Sequence, residues 1–465
     1  MLSPGLRYRC WLASLFLVIA CRSGDHKSST APLAPDVDQV ASLAAAALDE
    51  FKIPGLSVAV MQGDELLLSS GYGRGEVARA APVTAETVFQ LGSIGKQFLA
   101  ALVLRLAEQG SVSLDDAVTR HLPEFNLLSP QIRIRHLLNH TSGIREPFTM
   151  PAYIAGIEDL NRSTAELVAI LQQAPVDFAP GSRWSYSNAN YLILAQLVER
   201  VTGMPYERVL TREFFQPLGL TSLHQCTPLP QGSLEARGHV SKDGTPVLAA
   251  PENMNWIRGD GGLCAHALDL ARWTRLLASG RVVTQESYHA MSAPARLSDG
   301  REVDYGFGLS LVSLDGRHKI AHNGAMLGFS ASAAYYPDAA LTVVVLANRG
   351  DVRTEVIERR IARRLLHLPI PRFSAHALSS DARKRYVGDF DIGVFTVHVV
   401  DRGDQLWLEM PPPGPTTILR FLGNGEFVSE SAPDAYQVHF DLVSDRAKEL
   451  RLLMGAMHWY GQRMR

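Results

Sequence analysis

Ser93 and Lys96 stand three residues apart in SIGK, at the head of the apolar run SIGKQFLAALVLRLAEQ. On a helix, residues i and i+3 share a face. A serine hydroxyl is a poor nucleophile until something takes its proton, and a lysine desolvated in a core has a lowered pKa and can take it. Lysine is almost never fully buried without a reason. The same four residues also fit a helix cap followed by a lysine that snorkels to water, so the pair needs support from elsewhere.

Support comes from two further stretches. WSYSNANY (184–191) holds Tyr186, Ser187 and Asn188. A tyrosine beside a serine nucleophile can shuttle a proton, and an asparagine can hold both the lysine and a substrate amide. The alternative for this stretch is a polar loop that caps the following helix. The second stretch is His322-Asn323-Gly324-Ala325. Gly324 would let a substrate lie along a strand edge. The backbone N–H of Ala325 could then form an oxyanion hole with that of Ser93.

These residues need elements to position them. VDQVASLAAAALDEF (37–51) reads as an alanine-rich helix ending before Pro54, and residues 56–73 as two strands with a turn at Gly63-Asp64. The run from Ser93 is apolar nearly all round and stops at Gly110, as a buried central helix would. Residues 94–290 look mainly helical, with clear helices at 163–173 (cap Ser163) and 190–203 (stop Gly203). HKIAHNG, FSASAAYYPD and LTVVVLANRG, within 318–350, read as successive antiparallel strands, and 352–368 as a closing helix. RRIARR (359–364) reads as the solvated side of that helix. Two strand groups so far apart in sequence must share one sheet to bury their apolar faces. After a linker at LPIPRF, six short strand-like segments between about 385 and 465 (GVFTVHVV, QLWLEM, TTILRFLG, EFVSES, YQVHFDLV and KELRLLM) suggest a small β-barrel or sandwich.

At this point the chain resembles the serine β-lactamase and penicillin-binding-protein superfamily, in its class C-like branch. That branch includes D-Ala-D-Ala carboxypeptidases, D-aminopeptidases, class C β-lactamases and esterases. The ordered motifs are Ser93-Ile94-Gly95-Lys96, Tyr186-Ser187-Asn188 and His322-Asn323-Gly324; IRHLLNHTSGI (134–144), GDGGLCAHALDLARW (259–273) and YGFGL (305–309) look like connecting signatures. The resemblance covers about 40–370. It implies an α/β (α+β) fold: an antiparallel sheet flanked by helices, plus an all-helical lobe, with the site between. It implies Ser93 as acylated nucleophile, Lys96 and Tyr186 sharing general-base and general-acid work, and Asn188 orienting Lys96 and the substrate amide. His322 stands where many relatives have lysine, which weakens the case for a substrate carboxylate and for a true β-lactamase. The expected organisation is a β-lactamase-like domain over 37–370 and an all-β domain over 380–465.

The N-terminus has Arg7 and Arg9, an apolar run from Trp11 to Ala20, and then Cys21. That is the layout of a signal peptide over 1–20. VIAC resembles a bacterial lipobox, so Cys21 is expected to carry lipid and residues 21–36 to form a tether at the periplasmic face of the envelope. Cys226 and Cys264 remain; they could pair in an oxidising compartment, but sequence does not place their Cα atoms, and two buried free thiols is the favoured reading.

The chain has 465 residues, a net charge of −2 and 20% charged residues, without the basic stripe of a nucleic-acid binder. His136 and His140 lie at i and i+4 without the glutamate of H-E-x-x-H, so no metal is expected. No cofactor is expected: GYGRGE (71–76) follows a hairpin strand and is not followed by a helix pattern, which speaks against phosphate binding, and the lack of G-x-S-x-G speaks against an α/β-hydrolase elbow. The leading reading is a serine hydrolase forming an acyl-enzyme on an amide or ester, with a D-amino-acid peptide or β-lactam-related compound of the cell envelope as the small-molecule or peptide substrate expected; an esterase on the same fold is the alternative, and the oligomeric state is left open. A non-catalytic envelope scaffold is the remaining alternative.

Overall fold

The computed structural model describes residues 37–464, apart from 78–80, 126–128, 130, 228–233, 412–413 and 415. The expected signal peptide, the tether and Cys21 lie outside the described residues.

The sheet joins the two ends of the first domain. Its order is Ser310–Leu314, Arg317–Met326, Phe329–Tyr336, Leu341–Ala347, Gly55–Gln62, Glu65–Gly73. Every neighbouring pair is antiparallel, and Leu341–Ala347 is the strand that receives the N-terminal hairpin, with Val58 opposite Val345. LTVVVLA is buried at every position because both faces are covered. Val343 and Val345 face a cluster with Val40 and Ala44 of the helix Val37–Glu50 and Ile357 and Ile361 of the helix Thr354–Leu365. Val344 and Leu346 face the other cluster, with Leu270 and Trp273 of the helix Ala267–Ala278.

The second cluster holds the helix Gly95–Glu108, buried from Gly95 to Leu104. Phe98 stacks on Trp273 with ring centroids 4.1 Å apart. Ser93 lies in a single 3-10 turn, Gly92–Ile94, that runs directly into this helix. The helical lobe includes Thr164–Gln172, opened by a reciprocal Ser163–Glu166 capping box, and Asn188–Thr202, closed by Gly203 at φ +67°.

The C-terminal region is a closed antiparallel barrel of eight strands, from Gly388–Asp391 to Met457–Arg463, sealed by Phe390 opposite Arg463. Closure removes both sheet edges. Six strands match the segments read from sequence. The first and last were missed: one has four residues, and the other, MHWYGQR, carries few aliphatic side chains.

Two expectations are corrected. RRIARR is not a solvated face: Arg359 and Arg363 are buried where the helix meets the barrel. Arg359 donates to the carbonyls of Asp434 and Gly455, and Arg363 pairs with Asp315 and Asp434. A helical period cannot show that a second domain covers the outer face. Cys226 and Cys264 are not free thiols but a disulfide, with Cα atoms 5.2 Å apart. The small sheet of Phe89–Gln90, Leu263–Ala265 and His224–Gln225 brings them together. Among the described residues no helix is long and apolar enough to cross a membrane.

Candidate active site

The serine turn is shaped by close backbone approach. A Cβ on Gly324 would lie 1.9 Å from the carbonyl oxygen of Leu91 and 3.1 Å from the nitrogen of Ser93. Only glycine lets the strand Arg317–Met326 come this near. Its neighbour Ser310–Leu314 pairs only as far as Ala321, so the strand edge beyond is left unpaired on that side. Ser93 and Ala325 both line the resulting cleft, which has a volume of about 590 Å³.

Lys96 is fully buried. Its Nζ donates to Ser93 Oγ at 3.1 Å, to Asn188 Oδ1 at 2.7 Å and to the Asp260 carbonyl at 2.6 Å. All three acceptors are uncharged. Burial pulls its pKa down to about 8, against the opposing charges of Asp260 and Glu146. The amine is therefore near its titration midpoint close to neutral pH and in contact with a serine hydroxyl.

Tyr186 covers this amine, its ring centroid 4.9 Å from Nζ. Burial raises the phenol's pKa well above 10, with the Ser93 hydroxyl acting in the opposite sense. The phenol is thus a protonated donor, and its oxygen forms no hydrogen bond of ordinary geometry among the described residues. The same ring packs on His140, with centroids 4.2 Å apart. Burial, then Lys96, pushes the His140 pKa well down, so this imidazole is neutral. Its Nδ1 takes the N–H of Ser187, which sets the loop carrying Tyr186 and Asn188. His136 instead caps its own helix, accepting from the Arg133 N–H.

Glu146 fixes Asn188. Its carboxylate accepts from the Asn188 backbone at 2.6 Å and from Nδ2 at 3.0 Å, which turns Oδ1 toward Lys96. Burial raises Glu146 to about 7 despite these bonds. Asp260 is also raised by burial. Neither acid was singled out from the sequence. Asp260 lies inside the signature GDGGL, and Glu146 follows TSGI by two residues.

His322 sits differently from the expectation of a substrate-binding residue. It is 1% exposed. Nε2 meets the Tyr305 hydroxyl at 3.0 Å and Nδ1 meets the Asn323 carbonyl at 2.6 Å, so the first accepts and the second donates. Burial, with Lys96 adding, holds its pKa at about 3. It is a neutral wall behind the site, and it is absent from the cleft lining. The structure thus gathers Ser93, Lys96, Tyr186, Asn188, Gly324 and Ala325, and leaves His322 without a free nitrogen. Trp184 and Tyr305 are core around Tyr186. Among the described residues no group of three potential metal ligands occurs.

Comparison with known proteins agrees with this layout. A D-aminopeptidase of Gluconobacter oxydans (strain 621H) is 30% identical over 64% of this chain and 56% of its own length. The chain therefore spans little more than half of that relative. A penicillin-binding protein of Bacillus subtilis (strain 168) is 27% identical over 76% of this chain and 83% of its own length. The octameric penicillin-binding protein homologue from Pyrococcus abyssi shares the fold, with a TM-score of 0.65 at 23% identity, covering 92% of this chain and all of that one. The beta-lactamase family profile matches residues 40–368, the stretch that contains the sheet, the helical lobe and the buried lysine, and the chain belongs to the beta-lactamase family.

Proposed function

We propose that this protein is a serine hydrolase that acts through an acyl-enzyme on Ser93. The observation that carries this is Lys96 Nζ held 3.1 Å from Ser93 Oγ by neutral acceptors alone. Neutral Lys96 takes the hydroxyl proton as Oγ attacks a carbonyl carbon. The oxyanion forms between the N–H groups of Ser93 and Ala325. Lys96 and Tyr186 deliver the proton to the departing atom, and water then cleaves the ester to release the acid and restore Ser93.

An amide of a D-amino acid or a short D-peptide is the substrate class best supported, by the D-aminopeptidase relative and by the chemistry of the cleft. A neutral, enclosed His322 offers no charge to a substrate carboxylate, which counts against a carboxypeptidase or a β-lactamase. An ester on the same site is the second reading, since an oxyanion hole and a buried base serve both. The layout of Arg7, Arg9, Trp11–Ala20 and Cys21 supports export and lipid anchoring in a bacterial envelope.

The test is intact-protein mass after exposure to a labelled penicillin and, separately, a fluorophosphonate. An adduct lost in Ser93→Ala identifies the nucleophile. No adduct from either reagent in folded protein overturns the acyl-enzyme and favours a scaffold.

A further inference from the structure

The barrel meets the site at the loop of Tyr186, where a Cβ on Gly393 would lie 2.1 Å from Ser185 Oγ, and at the strand edge around Asn323. Its last hairpin turns at Gly455-Ala456, between the strands Arg446–Met454 and Met457–Arg463. The Ala456 N–H donates to Asn323 Oδ1 at 3.3 Å, and a Cβ on Gly455 would lie 3.0 Å from Asn323 Nδ2. The turn is therefore packed on the strand edge one residue before Gly324. Trp459, on the outgoing strand, sets its ring 5.5 Å from that of Tyr186 and 6.1 Å from that of Trp184.

Three contacts hold the hairpin there. Arg359 grips the Gly455 carbonyl. His458 Nδ1 meets Asp304 Oδ2 at 2.7 Å. The Tyr460 hydroxyl bonds the Asp304 backbone at 2.9 Å. The open cleft, in contrast, spreads from Ser93 past Asn188 and Ala325 toward Met326 and Glu252, and among the described residues none of the barrel lines it.

This asymmetry bears on which part of a substrate goes where. In the tetrahedral intermediate, the oxyanion occupies the two N–H groups. The departing atom must lie beside the proton donors, hence beside Tyr186. The acyl group takes the remaining direction, into the open cleft. The Tyr186 and Asn323 side is the one the barrel has filled.

We propose that the barrel hairpin around Gly455 and Trp459 sets leaving-group specificity: of the D-amino acid amides and short D-peptides named above, it favours those with a small leaving group such as ammonia, or an ester of a short alcohol, over those that release a peptidyl amine. This rests on the acyl-enzyme reading above. The acyl bond breaks to the departing nitrogen or oxygen, which gains a proton from Tyr186 or Lys96; the hairpin limits what that atom can carry.

The test uses the full chain and one D-amino acyl group joined to leaving groups of rising size: ammonia, methylamine, glycine amide and glycylglycine amide. The measurement is kcat/KM, which reports acylation. The expected result is a fall of at least about 100-fold from ammonia to glycine amide. In Trp459→Phe and Trp459→Ala, which shed ring volume beside Tyr186, that ratio should shrink in steps, by about 10-fold in the second. Trp459→Phe keeps a ring on Tyr186 and guards against misfolding of the alanine variant. Wild-type rates within threefold across the series would overturn the proposal, as would a large ratio unchanged in both folded variants. Acylation by every substrate alike sinks the hairpin's role and leaves the nucleophile standing. Acylation by none sinks both.

Discussion

Two lysines of this protein are buried to nearly the same degree and are bonded differently. Lys96 is 0% exposed and Lys319 is 1% exposed. Burial lowers the pKa of both. Lys319 touches Glu358 directly, and the Tyr336 hydroxyl donates to the same carboxylate at 2.6 Å. Its charge is neutralised where it stands, between the sheet and the helix Thr354–Leu365. Lys96 has no carboxylate in contact, only a hydroxyl, an amide and a carbonyl. A buried cation bonded to an anion is locked in its charged form. One bonded to neutral acceptors can lose its proton, and that separates a structural lysine from a base.

Methionine at each position tests this contrast most strongly. Lys96→Met should lower acylation by about 10³-fold or more while the fold persists. Lys319→Met should leave acylation within a fewfold of wild type but cost about 3–5 kcal/mol, since Glu358 would remain buried and unpaired. Lys319→Met with Glu358→Met should recover most of that loss. Rates of adduct formation and denaturant midpoints report the two effects separately. A Lys319→Met variant that loses activity in step with Lys96→Met would break the distinction.

The disulfide comes next. Cys264 lies four residues beyond Asp260, whose carbonyl holds Lys96. Its loop spans 38 residues, for which chain entropy gives about 4 kcal/mol at 25 °C. Cys226→Ser with Cys264→Ser should lower stability by roughly that amount, read from denaturant midpoints. Wild type under reductant should move the same way. If the loss is confined to stability, Asp260 is held by its own turn, where its carboxylate accepts from the Arg258 N–H.

The pH dependence sharpens the account of Lys96. The base form is the neutral amine, so kcat/KM should rise with pH through about 8 and then level. The charges of Asp260 and Glu146 hold the proton on. Glu146→Gln removes one of them, so the rising limb should move to lower pH. A limb that moves to higher pH would contradict the assigned electrostatics. The linked effect on stability has a fixed sign. Lys96 ionises at about 8 when folded and near 10.5 when unfolded. Between those values the unfolded chain binds more protons, so this group's contribution to stability rises with pH.

What could be read from sequence follows the range of the interactions. Ser93 and Lys96 were legible because one helical turn links them. Gly63-Asp64, Ser163 and Gly203 were legible because turn and cap chemistry is local. Tyr186, Asn188 and Gly324 were legible through the ordered resemblance. Glu146 was not, because its role depends on a loop folding back onto Asn188, 42 residues away. The Cys226–Cys264 bond depended on a three-stranded sheet of two- and three-residue strands, too short for any periodic signal. His322 was recognised by position but misjudged in environment: nothing in HNG shows that Tyr305 will occupy its outer nitrogen.

The arginines of the helix Thr354–Leu365 carry the buried-against-exposed contrast to its weakest case. Arg359 is 5% exposed and bonds two barrel carbonyls. Arg360, the next residue, points the other way to Glu50, with side-chain exposures of 40% and 46%. A hydrogen bond from a charged donor to a buried acceptor contributes about 1.5–3 kcal/mol, and leaving the carbonyls unpartnered adds to the cost. An exposed ion pair contributes about 0–1 kcal/mol and is screened by salt. Arg359→Met should therefore destabilise by about 2 kcal/mol or more and loosen the Gly455 turn against Asn323. Arg360→Ala should move the denaturant midpoint by no more than about 0.5 kcal/mol, and less still in high salt. If the two variants were equally mild, the barrel would not depend on the helix for its seat. The hairpin beside Tyr186 would then have to be held by Ala456 on Asn323 and by His458 and Tyr460 on Asp304.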